Sequence, residues 1–373
     1  MNYEADNMSG TRISRADQIS RAKRNLMQWG TGRALPGALG GGGAATVVLE
    51  DPGHLPALLA SDLTGPHSVV FVPGSAPGSA PGSAPDSAPD SAPDGTDGGP
   101  LVVGYEGSLG EPGGDLSLDD SFFLQTQDYA TSAYMSVIGA TLIRIIEEAD
   151  FEAFLADADL ACAEGEFPSF VTDPAVQLAD LSALGAGPGS DGPWTRLYVG
   201  RDGAVSVSPG GRRLGALADG FAAVASEWSR SAAGSVPLGA VVDEDVRVRA
   251  LDERPWLGRY LAALDAVREL RARGASGIRV SGFGGRLLPA LPVNDDAGLP
   301  LLLWTDDSAY LHADGRTFQV GRAAGELAEA LLVCGSVESA AAYADRDRLA
   351  HVADLFAGAG VPLAAAHLVG ARQ

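Results

Sequence analysis

Positive charge is scarce in this chain. Lys23 is the only lysine among 26 basic residues, and 48 acidic residues oppose them, for a net charge of −22. A protein that grips nucleic acid must meet the phosphate backbone with a basic surface. That function class is therefore disfavoured, and the plain meaning of the acidity is solubility. Arginine in place of lysine, with abundant Ala and Gly, reflects GC-rich codons rather than function. Cysteine is equally sparse. Cys162 and Cys334 cannot build a four-cysteine zinc site, and two lone thiols make no disulfide framework. Both read as small buried apolar groups.

No apolar run is long enough to span a bilayer. The opening "MNYEADNMSGTRISRADQISRAKRNLMQWG" lacks the apolar segment of a secretory signal, so the expected location is the cytoplasm, with no membrane partner. Chemistry-bearing patterns are also missing. The histidines His54, His67, His312, His351 and His367 are scattered, with no i, i+4 pair on a metal-binding helix. There is no phosphate-binding loop. "SGFGGR" (281–286) follows a strand, but Pro289 forbids an immediate helix and the glycine spacing is not that of a dinucleotide site, so it reads as a turn. No serine sits in a nucleophile elbow. The acid pairs Asp119–Asp120, Glu147–Glu148, Asp295–Asp296 and Asp306–Asp307 fall at strand ends and turns, where they cap. No catalytic residue, metal site or cofactor is expected.

What is present is a 373-residue chain with 46% hydrophobic residues, enough for two or three domains and a substantial core. Residues 11–29 repeat apolar groups (Ile13, Ala16, Ile19, Leu26, Trp29) at helical spacing, and "GGGGAA" (40–45) forms a joint; 1–45 is read as an amphipathic helix and a flexible connection. Residues 46–290 read as an α/β scaffold. "TVVLEDPGHLPALLASDL" is strand, turn and helix, and "HSVVFV" and "LVVGY" are strands. Between them lie five tandem units of Gly or Asp followed by Ser-Ala-Pro (74–93). These offer too little apolar area to fold, so 74–100 is expected to be a disordered insertion and 75–99 dispensable. "VLEDPGHLPALLASD" and "IIEEADFEAFLADAD" are alike enough to suggest a repeated strand–helix unit, although Ala-rich chains produce such likeness by chance. "RLYVGRDGAVSVSP" is a hairpin turning at Asp-Gly. "LADGFAAVASEWSRSA" and "WLGRYLAALDAVRELRARG" are amphipathic helices, the second ending in arginines and Gly274.

The end of the chain is the most regular part. "LPLLLWTDD", "SAYLHA" and "RTFQV" read as three strands, with Asp314-Gly315 at a hairpin turn. Helices follow at Ala323–Val333, Val337–Ala344 and Arg346–Ala357, with Ser336 as an N-cap and a stripe of Leu349, Val352 and Phe356. Three strands followed by three helices is a winged-helix order.

With "FQVGRAAGELAEALLVCGS", "SVESAAAYA" and "RDRLAHVADLFAGAGV" in that order, residues 300–366 resemble the PqqD-like recognition element of ribosomally made, post-translationally modified peptide (RiPP) biosynthesis. The layout is also similar to recognition proteins of daptide-type clusters. The resemblance implies a non-catalytic protein whose partners are a precursor (leader) peptide and separate RiPP-modifying enzymes. An exposed sheet edge offers unpaired N–H and C=O groups to an extended peptide. The candidate binding residues are Arg316, Thr317, Phe318, Gln319 and Val320 on the third strand, with Arg348, His351, Val352 and Leu355 on the third helix. Three alternatives stand beside this reading: a peptide-modifying enzyme with a fused recognition domain, an acidic winged-helix transcription regulator, and a unit that merely packs on the larger domain. Residues 300–373 hold nine acidic and five basic residues, which disfavours the regulator.

Overall fold

The computed structural model describes residues 15–34, 42–74, 99–111, 113–187, 191–292, 300–313 and 315–363. In chain order the elements are α1 (Arg15–Thr31), β1 (Ala44–Leu49), α2 (Leu55–Leu59), β2 (Thr64–Pro73), β3 (Leu101–Gly107), β4 (Leu116–Leu118), β5 (Phe122–Asp128), α3 (Tyr129–Ser132), β6 (Thr141–Arg144), α4 (Glu148–Glu164), β7 (Val176–Leu178), β8 (Arg196–Val199), β9 (Ala204–Ser206), β10 (Gly215–Ala216), α5 (Phe221–Arg230), α6 (Glu244–Asp252), α7 (Leu257–Ala272), β11 (Arg279–Val280), β12 (Leu301–Trp304), β13 (Ala309–Ala313), β14 (Arg316–Val320), α8 (Arg322–Cys334), α9 (Val337–Ala340) and α10 (Arg346–Gly358).

Two sheets organise this mixed α/β chain. The larger has ten strands in the order β10-β9-β8-β1-β2-β3-β4-β5-β6-β7. Only β4 and β9 run against the rest. Its central strands are continuous apolar runs because both faces are covered, as parallel sheets require. Val48, Val69 and Phe71 face the core shared with Ala22, Leu26 and Trp29 of α1. Val47, Leu49, Val70 and Val72 face the core of α2 and α5. The Trp29 indole N–H donates to the Leu197 carbonyl at 2.9 Å, and Thr46 donates to the Asn25 side chain at 2.9 Å. The N-terminal helix is thus part of the body.

β2 and β3 are adjacent and parallel, which changes the meaning of the Ser-Ala-Pro segment. Parallel neighbours cannot be joined by a tight turn; they need a crossover. β3 begins opposite Val69 while β2 continues to Pro73. The expected disorder of 75–99 concerns residues outside those described. Their expected dispensability is corrected by the topology, because some chain must make the return.

The candidate repeat is uneven. β1 leads to a five-residue helix and β6 to one of seventeen. Tyr134 and Ile138, ahead of β6, are 92% and 78% exposed, and the strand begins only at Thr141.

The smaller sheet is antiparallel, in the order β11-β12-β13-β14. It has four strands rather than the expected three, because Arg279–Val280 joins from upstream. Leu302 and Trp304 of β12 face α8, α9 and α10. Leu301 and Leu303 face the core that contains α4 and α7. The three helices therefore cover one face, and the α/β body covers the other. The turn at 281–286 fastens this unit. Gly284 has φ +65°, and a Cβ there would sit 2.2 Å from the Glu164 carbonyl carbon, so glycine is required. The buried Glu329 carboxylate of α8 accepts from Ser281 Oγ (2.6 Å), the Leu287 N–H (3.1 Å) and the Leu288 N–H (2.7 Å).

Candidate functional site: the β14 edge

β14 ends its sheet, and among the described residues no strand pairs with its outer side. The other terminal strands are shorter. β7 has three residues and β10 and β11 have two each, whereas β14 has five. Very short edge strands are a common device against unwanted pairing, and β14 departs from it.

Alternation divides the strand between two neighbourhoods. Opposite Ala313, Leu311 and Ala309, the residues Arg316, Phe318 and Val320 lie on the helix-covered face. Phe318 meets Phe356 of α10 edge to face, with centroids 6.2 Å apart. The Arg316 guanidinium lies 5.3 Å over the Phe318 ring and donates to the Ala359 carbonyl at 3.3 Å. On the other face, Thr317 Oγ1 and His312 Nδ1 are 2.9 Å apart, and that nitrogen is 3.3 Å from Glu269 of α7. Gln319 Nε2 donates to Ser308 Oγ at 3.0 Å.

The sequence-derived residues on α10 separate into two sets. Val352 is 6% exposed and belongs to the core with Leu349, Ala353 and Phe356. It supports the helix from beneath and offers no surface. Arg348 and His351 are exposed, and Leu355 is 60% exposed, an unusual state for leucine beside a core. Spaced i, i+3 and i+7, these three share one helix face. The helix is started by Asp345, whose carboxylate accepts from the Arg348 N–H at 3.0 Å. Ser336 caps α9 in the expected way, accepting from the Ser339 N–H. β14 and α10 are brought together at Phe318–Phe356 and Arg316–Ala359.

A second polar region had no clear sequence signal. Open parallel sheets bind ligands beyond the carboxyl ends of their strands, where the strand order reverses. Here the reversal lies between β1 and β8. Glu50, just past β1, is buried, and its carboxylate accepts from Ser108 Oγ (3.0 Å) and the N–H groups of Leu109 (3.2 Å) and Gly110 (2.7 Å). Arg144, at the end of β6, donates to the carbonyls of Leu109 and Glu111. Burial raises the Asp128 carboxyl pKa, Arg144 opposes that shift and Asp150 adds to it. The loop of residues 108–111 thus lies over the strand ends and bonds both Glu50 and Arg144. Asp51 caps as acid pairs were expected to, accepting from the Gly53 N–H at 2.8 Å; Glu50 instead pins this loop.

Cys162 and Cys334 are half-buried rather than fully buried, and burial pushes the Cys334 thiol pKa up. Among the described residues no group of three His, Cys, Asp or Glu side chains could hold a metal ion, and no helix is long and apolar enough to cross a membrane. No protein-family model, curated protein or solved structure matches the chain.

Proposed function

We propose that this is a non-catalytic recognition protein of RiPP biosynthesis, acting in the cytoplasm. Its C-terminal unit is a winged-helix module that captures the leader of a precursor peptide as an added strand on β14. The α/β body presents the captured peptide to separate modifying enzymes. The observation that carries this reading is the five-residue terminal strand left unpaired on one side, beside a helix that exposes Leu355. Main-chain bonds along such an edge supply affinity, and side chains at its border supply selectivity. The added strand β11 sits at the opposite edge and leaves β14 free.

The test uses a fluorescently labelled synthetic peptide with the leader sequence encoded beside this gene, and anisotropy as the readout. Proline removes an N–H donor and cannot sustain a ladder. Successive residues of a strand present their N–H groups to opposite sides, so Thr317 and Gln319 share one. Ala313 and Arg316 flank the hairpin turn and bond each other, which turns the Thr317 and Gln319 N–H groups outward, and Thr317→Pro or Gln319→Pro abolishes binding. Gln319→Ala is mild, because its side chain bonds only Ser308 here. Leu355→Glu weakens binding while circular dichroism stays native. Full affinity in the folded proline variants and in Leu355→Glu rejects the β14 edge as the docking place.

A further inference from the structure

Two arginines of the α/β body are deeply buried in contrasting ways. Arg196 is locked between Asp191 and Asp180. Arg247 on α6 is 7% exposed, yet among the described residues no carboxylate forms an ion pair with it. Its Nε donates to the Ala183 carbonyl (2.7 Å), Nη1 to Ser235 Oγ (3.1 Å) and Nη2 to the Ser182 carbonyl (3.3 Å). Those bonds use three of the five N–H groups a guanidinium carries. Burial lowers its pKa, and the one carboxylate acting against that, Glu244, is held by Arg212 at 3.1 Å. A buried cation without a partner is costly, and an anion arriving beside it would relieve that cost.

The surroundings favour such a guest. Arg247 lines a cavity of about 260 Å³ whose walls carry a second arginine, Arg254, and no aspartate or glutamate. In a chain of net charge −22, a cavity with two cations and no acid is not what composition alone would give. Arg254 is already bound through both its Nε and Nη2 to Asp159, at 2.8 Å each, so Arg247 is the cation left to act. Gly187 also lines the wall and lets a ligand approach the backbone closely, while Gly234 makes room for the Arg247 guanidinium, whose Nη2 a Cβ there would meet at 2.7 Å. Leu257 and Gly258, the first turn of α7, close another side. The first turn of a helix presents the positive end of the dipole and N–H groups without helical partners. Here the Leu257 N–H is bonded to the Arg254 carbonyl at 3.0 Å, and Gly258 is the other lining residue of that turn. A second cavity of about 440 Å³ shares Ser182, Gly185, Gly187 and Gly258 with the first and adds apolar walls from Leu181, Leu261 and Ala262; its two acids, Asp191 and Asp265, are paired with Arg196 and Arg33.

We propose that this cavity binds a small oxyanion of the phosphate class, held by Arg247 and the first turn of α7. The site shares no residue with the β14 edge. The adjoining cavity is where the remainder of a phosphomonoester would lie.

Isothermal titration calorimetry of the full chain tests this, with inorganic phosphate and glycerol phosphate as probes at constant ionic strength. Saturable single-site binding is expected. Equal affinities assign the site to the free ion, and tighter glycerol phosphate binding assigns it to a phosphomonoester. Arg247→Gln should weaken binding by about tenfold or more, the usual scale for charge-assisted hydrogen bonds. Arg254→Gln should change it far less. Because Arg247→Gln removes three internal bonds and can fail to fold, Gly258→Asp is the second variant. It sets a carboxylate in the first turn of α7, where acids are favourable, and should exclude phosphate from a folded protein. Absence of saturable heat with the parent overturns the proposal. So does binding that survives Gly258→Asp or folded Arg247→Gln, which would mean an adventitious ion only.

Discussion

β2 and β14 occupy contrasting places in their sheets. β2 lies between β1 and β3, and Val69 to Val72 are buried on both of its faces. β14 is paired on one side, half-buried on average, and bordered by an exposed leucine. The contrast extends to charge. In the large sheet, Glu50, Arg144 and Arg196 are buried and spend their hydrogen bonds on the chain itself. Along β14, Arg316 and Gln319 are exposed. A large sheet paired along its length and a small sheet with a long open edge is the division expected between a scaffold and a recognition surface.

The largest expected effect tests the scaffold at the connection between β2 and β3. The return from Pro73 to Leu101 covers four residues of register, about 13 Å at ~3.3 Å per residue. Deleting 75–99 outright leaves two residues, Gly74 and Pro100, to make it, so β2 and β3 cannot pair and the chain should be insoluble or unfolded. Replacing the segment with about a dozen Gly and Ser residues satisfies the crossover requirement and should restore the parent thermal melt. A native melt from the outright deletion would disprove the parallel β2–β3 pairing.

Next in size is Arg196→Met. Arg196 is 1% exposed and contacts Asp191 with two nitrogens at 2.8 Å each. A third nitrogen lies 2.8 Å from Asp180, close enough to attract it but not aligned for a hydrogen bond. Removing the cation strands two buried carboxylates, at a cost of about 3–5 kcal/mol. Urea denaturation measures it, and a loss below about 1 kcal/mol would mean that water reaches the cluster.

Asp180 gives a pH-dependent counterpart. Burial pushes its pKa from 3.8 up to about 6; Arg196 opposes the shift, and Asp191 reinforces it. The native state therefore holds a proton that the unfolded chain releases between about pH 4 and 6. The stability associated with that proton is complete below the unfolded value and is lost as pH rises through the folded one. Asp180→Asn has no proton to lose. Its urea midpoint should gain on that of the parent between pH 4.5 and 7, and a constant difference across that range would refute the assignment.

The same contrast explains what could be read from the chain before its fold was known. The three strands and three helices at the end were legible because each is continuous and bounded by local signals, such as Ser336 and the Asp314-Gly315 turn. β11 was legible only as a strand ahead of the 281–286 turn; two residues carry no periodicity that would assign it to this sheet. β4 and β5 were also silent: their hairpin turns at Asp119 and Asp120, both at positive φ without glycine. Glu329 in "GELAEALL" looks like a solvated helix charge, but its partners lie 41 to 48 residues earlier. Glu50 and Arg144 are equally opaque for that reason. Buried charge is a property of distant pairs, and alternation along a strand does not encode it.

The smallest expected effect compares two leucines on α10. Leu349 is fully buried in the core of the small sheet. Its change to Ala should cost about 2–5 kcal/mol, through lost burial and the cavity left behind. Leu355, six residues on, is 60% exposed. A surface change away from caps and pairs shifts stability by less than about 0.5 kcal/mol, so Leu355→Glu should melt with the parent. A stable Leu355→Glu chain that has lost the labelled leader identifies the leucine as part of a binding surface. If instead Leu355→Glu destabilises the fold as Leu349→Ala does, this leucine is held by contacts among residues outside those described. The helix face is then interior, and the edge of β14 is left to act alone.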